Sequence, residues 1–533
     1  LLCLCMVFSL LPTAVLAADG ENPDASVGSG QVMQQDSEKP GDQENPGDQE
    51  NPGDQENQDD LKDLEKLDDS DALQLLGEGL GSGLSGSCGA TDADNVSWAL
   101  TLNEDGSTYT LTISGNGAMK DYTSQMGETV ADPTGWYALK DSITEIKIEE
   151  GVTGLGDWAF SYLTNVVKAN IPASITSLGD HIFRGDTALT TVEWASGFNA
   201  PVITDTDSKD DVYSGKYVPT SMFDGCTSLG SGKELSAWLP ASFTGVGCAA
   251  FRGTQFTVNF GDWSNLTYIG AYGFAGMPNL DSFTLSNKIA LGLRGEASNA
   301  FNSSGLKSLT VADGIKAIPS GLCNGCEQLS FVALADVTTI ATNAFFNTKA
   351  LKEIDLKNVQ TINSYAFWGS GLTALVLPKS VKTVGSRAFE ACTSLTKVTI
   401  NAAELTLDNS NTFAGCSSLN TVVTSADSKI NGLNIGAFGP DSHGSYVQAP
   451  VESIEINGTV DTLNFSTLAS LKSLKINGKN TWYGNILPSG FENLVINGDN
   501  WNISGYQFAG KTPIKHLVVS AAEVSDNADN EGK

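Results

Sequence analysis

The chain has 533 residues and a formal charge of 30 − 62 = −32, with 40% hydrophobic residues and 56 glycines. That balance supplies no clustered Lys and Arg for phosphate or anionic lipid, so nucleic acid and lipid surfaces are poor partners. The apolar fraction can bury a large core, and the glycine content is far from the roughly one-third of collagen.

The opening run LLCLCMVFSLLPTAVLA is apolar and ends in Val15-Leu16-Ala17, whose small residues at the −3 and −1 positions suit signal-peptidase cleavage. Residues 1–17 therefore read as a secretory signal peptide that lacks its charged n-region. The run is shorter than the roughly 20 apolar residues that span a bilayer, so no membrane insertion is expected once it is removed. Residues 18–87 hold three copies of PGDQEN, starting at Pro40, Pro46 and Pro52, and the stretch Asp19 to Ser87 carries 3 − 19 = −16 of the charge. Repeated Pro and Gly with like charges cannot bury enough apolar area to offset chain entropy, which predicts a disordered, solvated tether. The GSGLSG run at 81–86 matches a dinucleotide fingerprint by letter, but it follows no strand and opens no helix.

Within 88–140, Trp98, Leu100 and Leu102 alternate before Asn103-Glu104-Asp105-Gly106, and an apolar alternation resumes from Thr110. This predicts a β-hairpin that caps the open end of a repeat array. From 141 to 520 one unit recurs: a pair such as Ile-Gly, then Ala-Phe, then Gly-Cys or a small residue, then L-x-x-L-x-L. The Phe falls at 160, 183, 223, 251, 274, 301, 345, 367, 389, 413, 438 and 508, with Cys323 in the same slot, and the steps from Phe301 to Phe389 are each 22 residues. Such spacing defines a repeat solenoid of the leucine-rich-repeat class, about 16 turns long. A parallel β-sheet is expected on one face and short helices, turns or strands on the other, with the Phe rings stacked as an internal ladder. Two interruptions, Ala195 to Tyr217 and Gly439 to Pro450, are expected as surface loops. Residues 521–533 form an acidic tail.

The Ala-Phe, Gly-Cys, L-x-x-L-x-L unit, preceded by Trp98, Leu100 and TLTISGNGAM from Thr110 to Met119, resembles the BspA-like surface proteins, whose repeats are also called Treponema pallidum type. The resemblance covers Cys88 to about Ser520. It implies a secreted or surface-attached protein, in many relatives an adhesin for host matrix, epithelium or other microbes, and it carries over no catalytic or ligand residues.

Motifs for chemistry are weak. GYQFAGKT at 505–512 matches a phosphate-binding loop by letter, yet Phe508 and Gly510 occupy repeat slots and Pro513 opens the next turn. The three histidines, His181, His443 and His516, lie in different repeats or loops and offer no triad or zinc spacing. Asp205, Asp207, Asp210 and Asp211 lack the Gly and Glu of a calcium loop and read as a solvated acidic segment. Cys226, Cys326, Cys392 and Cys416 each follow the ladder position by three residues and read as small core residues, as does Cys323. No catalytic residue, cofactor or metal is expected.

On the outer face, Phe331, Glu353, Ala374 and Lys397 should be neighbours, as should Ala333, Asp355, Val376 and Thr399. Most other outward positions are Ser, Thr, Lys, Glu or Asn, so Phe331, Ala333, Glu353, Asp355, Ala374 and Val376 form the candidate ligand-binding patch, with the two insertions as alternatives. The expected function is an exported, noncatalytic binding protein, secreted or at the cell surface, that recognises a host or microbial protein or glycan. The alternative is a structural scaffold or the noncatalytic portion of a larger secreted enzyme.

Overall fold

The computed structural model describes residues 84–122, 135–205, 213–294, 297–407, 411–433, 450–460, 468–477, 488, 490–497, 501–502, 514–520 and 524–525. The signal segment, the PGDQEN copies, His443, the GYQFAGKT run, Phe438, Phe508, Asp207, Asp210, Asp211 and most of the second insertion lie outside these residues.

The N-terminal cap begins with β1 (Ser85–Ser87), inside the stretch assigned to the tether, which pairs antiparallel with β2 (Asn95–Leu102). β2 forms a hairpin with β3 (Tyr109–Ala118), in register from Asn95 opposite Asn116 to Leu102 opposite Tyr109. The turn is fixed by Asp105, whose carboxylate accepts the backbone N–H groups of Ser107 and Thr108 at 2.8 and 2.9 Å. These donors, with the Thr108 hydroxyl first, draw the Asp105 carboxyl down to about 2. β3 then runs parallel to β4 (Ile143–Ile148), the first strand of the solenoid. Trp98 and Tyr122 meet Trp136 edge-on at 5.7 and 5.6 Å, and Trp136 leans on Phe160 at 6.3 Å, so aromatic rings close the end of the Phe ladder. Gly86 lies in β1, where a Cβ would stand 2.7 Å from the Trp98 indole nitrogen. Packing thus accounts for the last glycine of the GSGLSG run.

Each later turn that the structure describes in full has three walls. The L-x-x-L-x-L wall carries a parallel strand in about 13 turns. Within a strand the burial alternates, as in Ala374–Leu377, where Leu375 and Leu377 are buried and Ala374 and Val376 exposed. At three turns the pattern reaches this wall without forming a strand. Glu234 pairs with Thr257 and Val258 with Leu280 only as isolated parallel bridges, and Glu353–Asp355 form no bridge among the described residues.

On the second wall, where the sequence left short helices, turns or strands open, the structure has strands. The Ile-Gly position forms its own parallel sheet of two-to-five-residue strands, running through Ala317–Ile318, Thr339–Ile340, Thr361–Ile362, Thr383–Val384, Glu404–Leu407, Lys429–Leu433 and Thr459–Val460. An earlier segment joins Tyr217–Val218, Gly245–Val246, Tyr268–Ile269 and Ala290–Leu291.

The third wall is the Ala-Phe turn. Its rings stack inside at 5.6 Å for Phe160 and Phe183, 5.6 Å for Phe223 and Phe251, and 5.3 Å for Phe367 and Phe389. The backbone N–H of each ladder residue donates to a carbonyl of the next turn, as from Phe183 to Met222 and from Phe367 to Ala388, at 2.9 and 2.8 Å. This series runs from Phe160 through Cys323 to Phe389 without a gap. Two residues after the ring the chain turns left-handed, and Gly185, Gly225, Gly253 and Gly369 fill that position with φ between 65° and 79°. That backbone requirement is the reason for the repeat's glycine.

The first insertion is only partly a surface loop. Neither sheet continues across it: one ends at Thr191–Trp194 and the other resumes at Tyr217–Val218. The core exposed at that break is covered by the insertion itself. Phe198 and Ala200 are 7% and 1% exposed, and Phe198 packs on Trp194 at 4.8 Å and Phe243 at 5.8 Å. Only then does the segment rise as the hairpin Ile203–Asp205 and Tyr213–Gly215.

Candidate interaction surface

The outer side of the L-x-x-L-x-L wall presents two outward residues per strand. Ser282, Ser308 and Phe331 are in register, as are Thr284, Thr310 and Ala333. Further along, Ala374 pairs with Lys397 and Val376 with Thr399. Phe331 is 56% exposed and Val376 51%, above the buried Val332 and Leu375. Ala374, Glu353 and Asp355 are exposed and Ala333 half-buried.

The two apolar halves of the patch flank the place where the sheet stops. Strand Phe331–Ala333 ends one sheet and Ala374–Leu377 begins the next, with Glu353–Asp355 between them. The turn still stacks, since Thr373 N–H donates to Lys352 O at 3.0 Å, but Ile354 is half-buried where Val332 and Leu375 are buried. Asp355 accepts Lys357 N–H at 3.0 Å, and neither carboxylate of the patch joins an ion pair among the described residues.

Beyond Val451 the strands Ser453–Ile456, Ser473–Ile476 and Asn493–Asn497 carry mostly polar, self-paired outer faces, whereas the last strand, His516–Ser520, exposes Leu517, Val518 and Val519. Lys472 sits 2.7 Å from Glu452, Lys515 2.6 Å from Glu492, and Lys475 2.9 Å from Glu455. Beside them Asn457, Asn477 and Asn497 form an amide ladder at 2.6 and 3.0 Å. These neutralised columns contrast with the Phe331 region, whose two carboxylates join no ion pair among the described residues.

Groups that could carry chemistry are dispersed. His181 stacks on Trp158 at 3.9 Å on the Ala-Phe wall, and His516 lies on the strand His516–Ser520. Among the described residues no cluster of His, Cys, Asp or Glu has the arrangement of a metal site. Cys226, Cys323, Cys326, Cys392 and Cys416 are fully buried. The thiols of Cys226, Cys326, Cys392 and Cys416 donate to the carbonyls of Phe183, Phe301, Phe367 and Phe389, each a ladder residue of the preceding turn, at 3.0 to 3.2 Å. Thr254 and Thr348 occupy the same slot and donate to Phe251 and Phe345 of their own turn. The cysteines are thus one choice among small donors.

Two features escape a reading by repeat letters. Phe346 and Trp368, each next to a ladder Phe, stack outside the core at 4.4 Å and 9°. The letters Arg184-Gly185-Asp186 spell a cell-attachment tripeptide, but Asp186 is fully buried and Arg184 is held 3.1 Å from Asp224, so the tripeptide is not displayed.

Stacked parallel strands, an internal aromatic ladder and a β cap define a leucine-rich-repeat solenoid. Models of the BspA type leucine rich repeat region match residues 135–201, 216–352 and 338–475 in six copies, and the chain belongs to that family. It is similar in structure to a leucine-rich repeat protein from Eubacterium ventriosum, at 18% identity and a TM-score of 0.33 over 85% of this chain and 99% of that one. One from Bacteroides ovatus is similar at 15% identity and a TM-score of 0.37, over 79% and 98%. The pneumococcal vaccine antigen PcpA is similar at 18% and 0.36, over 65% and 93%. No curated protein sequence matches the chain. Among the described residues no helix is long and apolar enough to cross a membrane.

Proposed function

We propose that this chain is an exported, noncatalytic binding protein, an adhesin at the cell surface or in the medium, that recognises a protein or glycan on another surface through its repeat solenoid. The observation that carries the reading is the Phe331 and Val376 pair, exposed on a wall whose other outward positions are mostly polar, with Glu353 and Asp355 between them. An exposed aromatic with a polar rim is the usual anatomy of a contact that contributes strongly to binding. Membership of the BspA type family supports a binding role, and the secretory reading of residues 1–17 supports export. A screen of the purified protein against matrix proteins and a glycan array tests the reading, with Phe331→Ala as the site control. Retention of every hit by that variant would remove the patch from the proposal, and no hit at all would favour the scaffold.

A further inference from the structure

A groove on the second wall, away from the Phe331 patch, has the chemistry of a sugar site. Leu377, Ile400 and Thr424 are in register, so Ala402 and Ala403 stand between Lys379 and Ser380 of the previous turn and Ala426 and Asp427 of the next. Lys379 reaches over this low turn to Asp427, Nζ to Oδ2 at 2.7 Å. The same turns bound a groove of about 430 Å³ lined by Lys379, Lys382, Ala403, Glu404, Leu405 and Asn431.

Its charges are not equivalent. Lys379 is held by Asp427, and Glu404 lies 3.6 Å from Lys429. Lys382 forms no ion pair among the described residues. The groove therefore offers one uncommitted ammonium, a carboxylate and an amide around the exposed methyl of Ala403, with Leu405 buried beneath. A pyranose ring has a matching surface: a C–H face for the Ala403 methyl and a rim of hydroxyls that donate to carboxylate and amide oxygens. A ring carboxylate would complement Lys382. The geometry points to a site for an acidic sugar, a uronic acid within a glycan chain. The groove is on a different wall from the Phe331 patch, so the two sites stand or fall separately.

The test compares a galacturonate trimer with its methyl-esterified counterpart, identical except that the carboxylates are neutralised, by calorimetry on the full chain. The acid is expected to bind about tenfold more tightly than the ester, a difference of about 1.4 kcal/mol. Lys382→Gln should bring the acid down to the ester's affinity, and Ala403→Phe should abolish binding of both by filling the groove, with unchanged thermal melting showing that each variant is folded. Lys307→Ala, at an exposed ion pair outside the groove, should leave both affinities unchanged. Equal binding of acid and ester, indifference to Lys382→Gln, or no binding of either trimer at millimolar concentration would overturn the assignment.

Discussion

Arg184 and Asp224 meet at 3.1 Å, although the whole first insertion separates them in sequence. Arg252, from the following turn, holds the same carboxylate with two hydrogen bonds of 2.6 and 2.7 Å. Asp224, with a side chain 5% exposed, therefore joins three successive turns where the sheets are interrupted. Asp224→Ala should destabilise the protein by about 3 to 5 kcal/mol in chemical denaturation, because it leaves two guanidinium groups without their partner. Lys307→Ala removes an ion pair whose side chains are 57% and 78% exposed, and should change stability by less than about 1 kcal/mol.

Asp186 occupies the slot that holds Cys or Thr in other turns, with one oxygen accepting Leu163 N–H at 2.8 Å and the other buried without a hydrogen bond among the described residues. Burial pushes its carboxyl well above the usual carboxylate range. A raised folded value means that its contribution to stability is full below about pH 4 and is lost as pH rises through that value. Asp186→Asn should remove this loss, so the variant gains on the wild type between acid and neutral pH. Parallel denaturation curves for the two proteins across that range would show the opposite.

Phe331→Ala and Asp355→Lys should each weaken binding to a partner found by the screen by about 1 to 3 kcal/mol, with the melting temperature unchanged. If both variants bind as the wild type does, contact lies elsewhere, with Ala195 to Tyr217 and Gly439 to Pro450 the next places to mutate.

Cys392 and Cys416 stack in one slot of successive turns, both fully buried. Burial pushes the Cys416 thiol up, which disfavours the thiolate that exchange chemistry needs. Both should remain reduced in the secreted protein. Alkylation of unfolded protein without reductant, followed by peptide mapping, checks this; a linked pair of peptides would show a disulfide instead.

The secreted chain should begin at Ala18 after cleavage behind Val15-Leu16-Ala17. N-terminal mass spectrometry of protein from the medium decides it, and an intact Leu1 segment would contradict the cleavage.

The Phe ladder and the first parallel sheet were legible because each rests on a large apolar residue at a fixed period. Thr361–Ile362 and its neighbours could be read only as helix, turn or strand, since a two-residue strand has too few positions to show alternation. The break at Glu353–Asp355 was hidden for a different reason: Leu351, Ile354 and Leu356 keep the repeat's letters while the backbone departs from the ladder. Phe198 escaped because it sits outside any period, and its burial depends on Trp194 and Phe243 being brought together by the break it covers. The groove arises from Ala402 and Ala403, an absence of side-chain bulk that composition does not register.

The staggered interruptions of the walls also set how the molecule would carry a load. Beside Glu353–Asp355 the neighbouring sheet runs unbroken through Thr339–Ile340, Thr361–Ile362 and Thr383–Val384, as courses of brick overlap a joint. At the first insertion both joints coincide, and tension along the stack would fall on the Ala-Phe backbone bonds, the aromatic plug, the Asp224 carboxylate and a few side-chain bonds such as Asp180 to Thr220 N–H. A protein tethered at one end and held by a ligand at the other would open there first. The slack it released would be Ala195 to Tyr217, so the insertion would act as a shock absorber for the turns on either side.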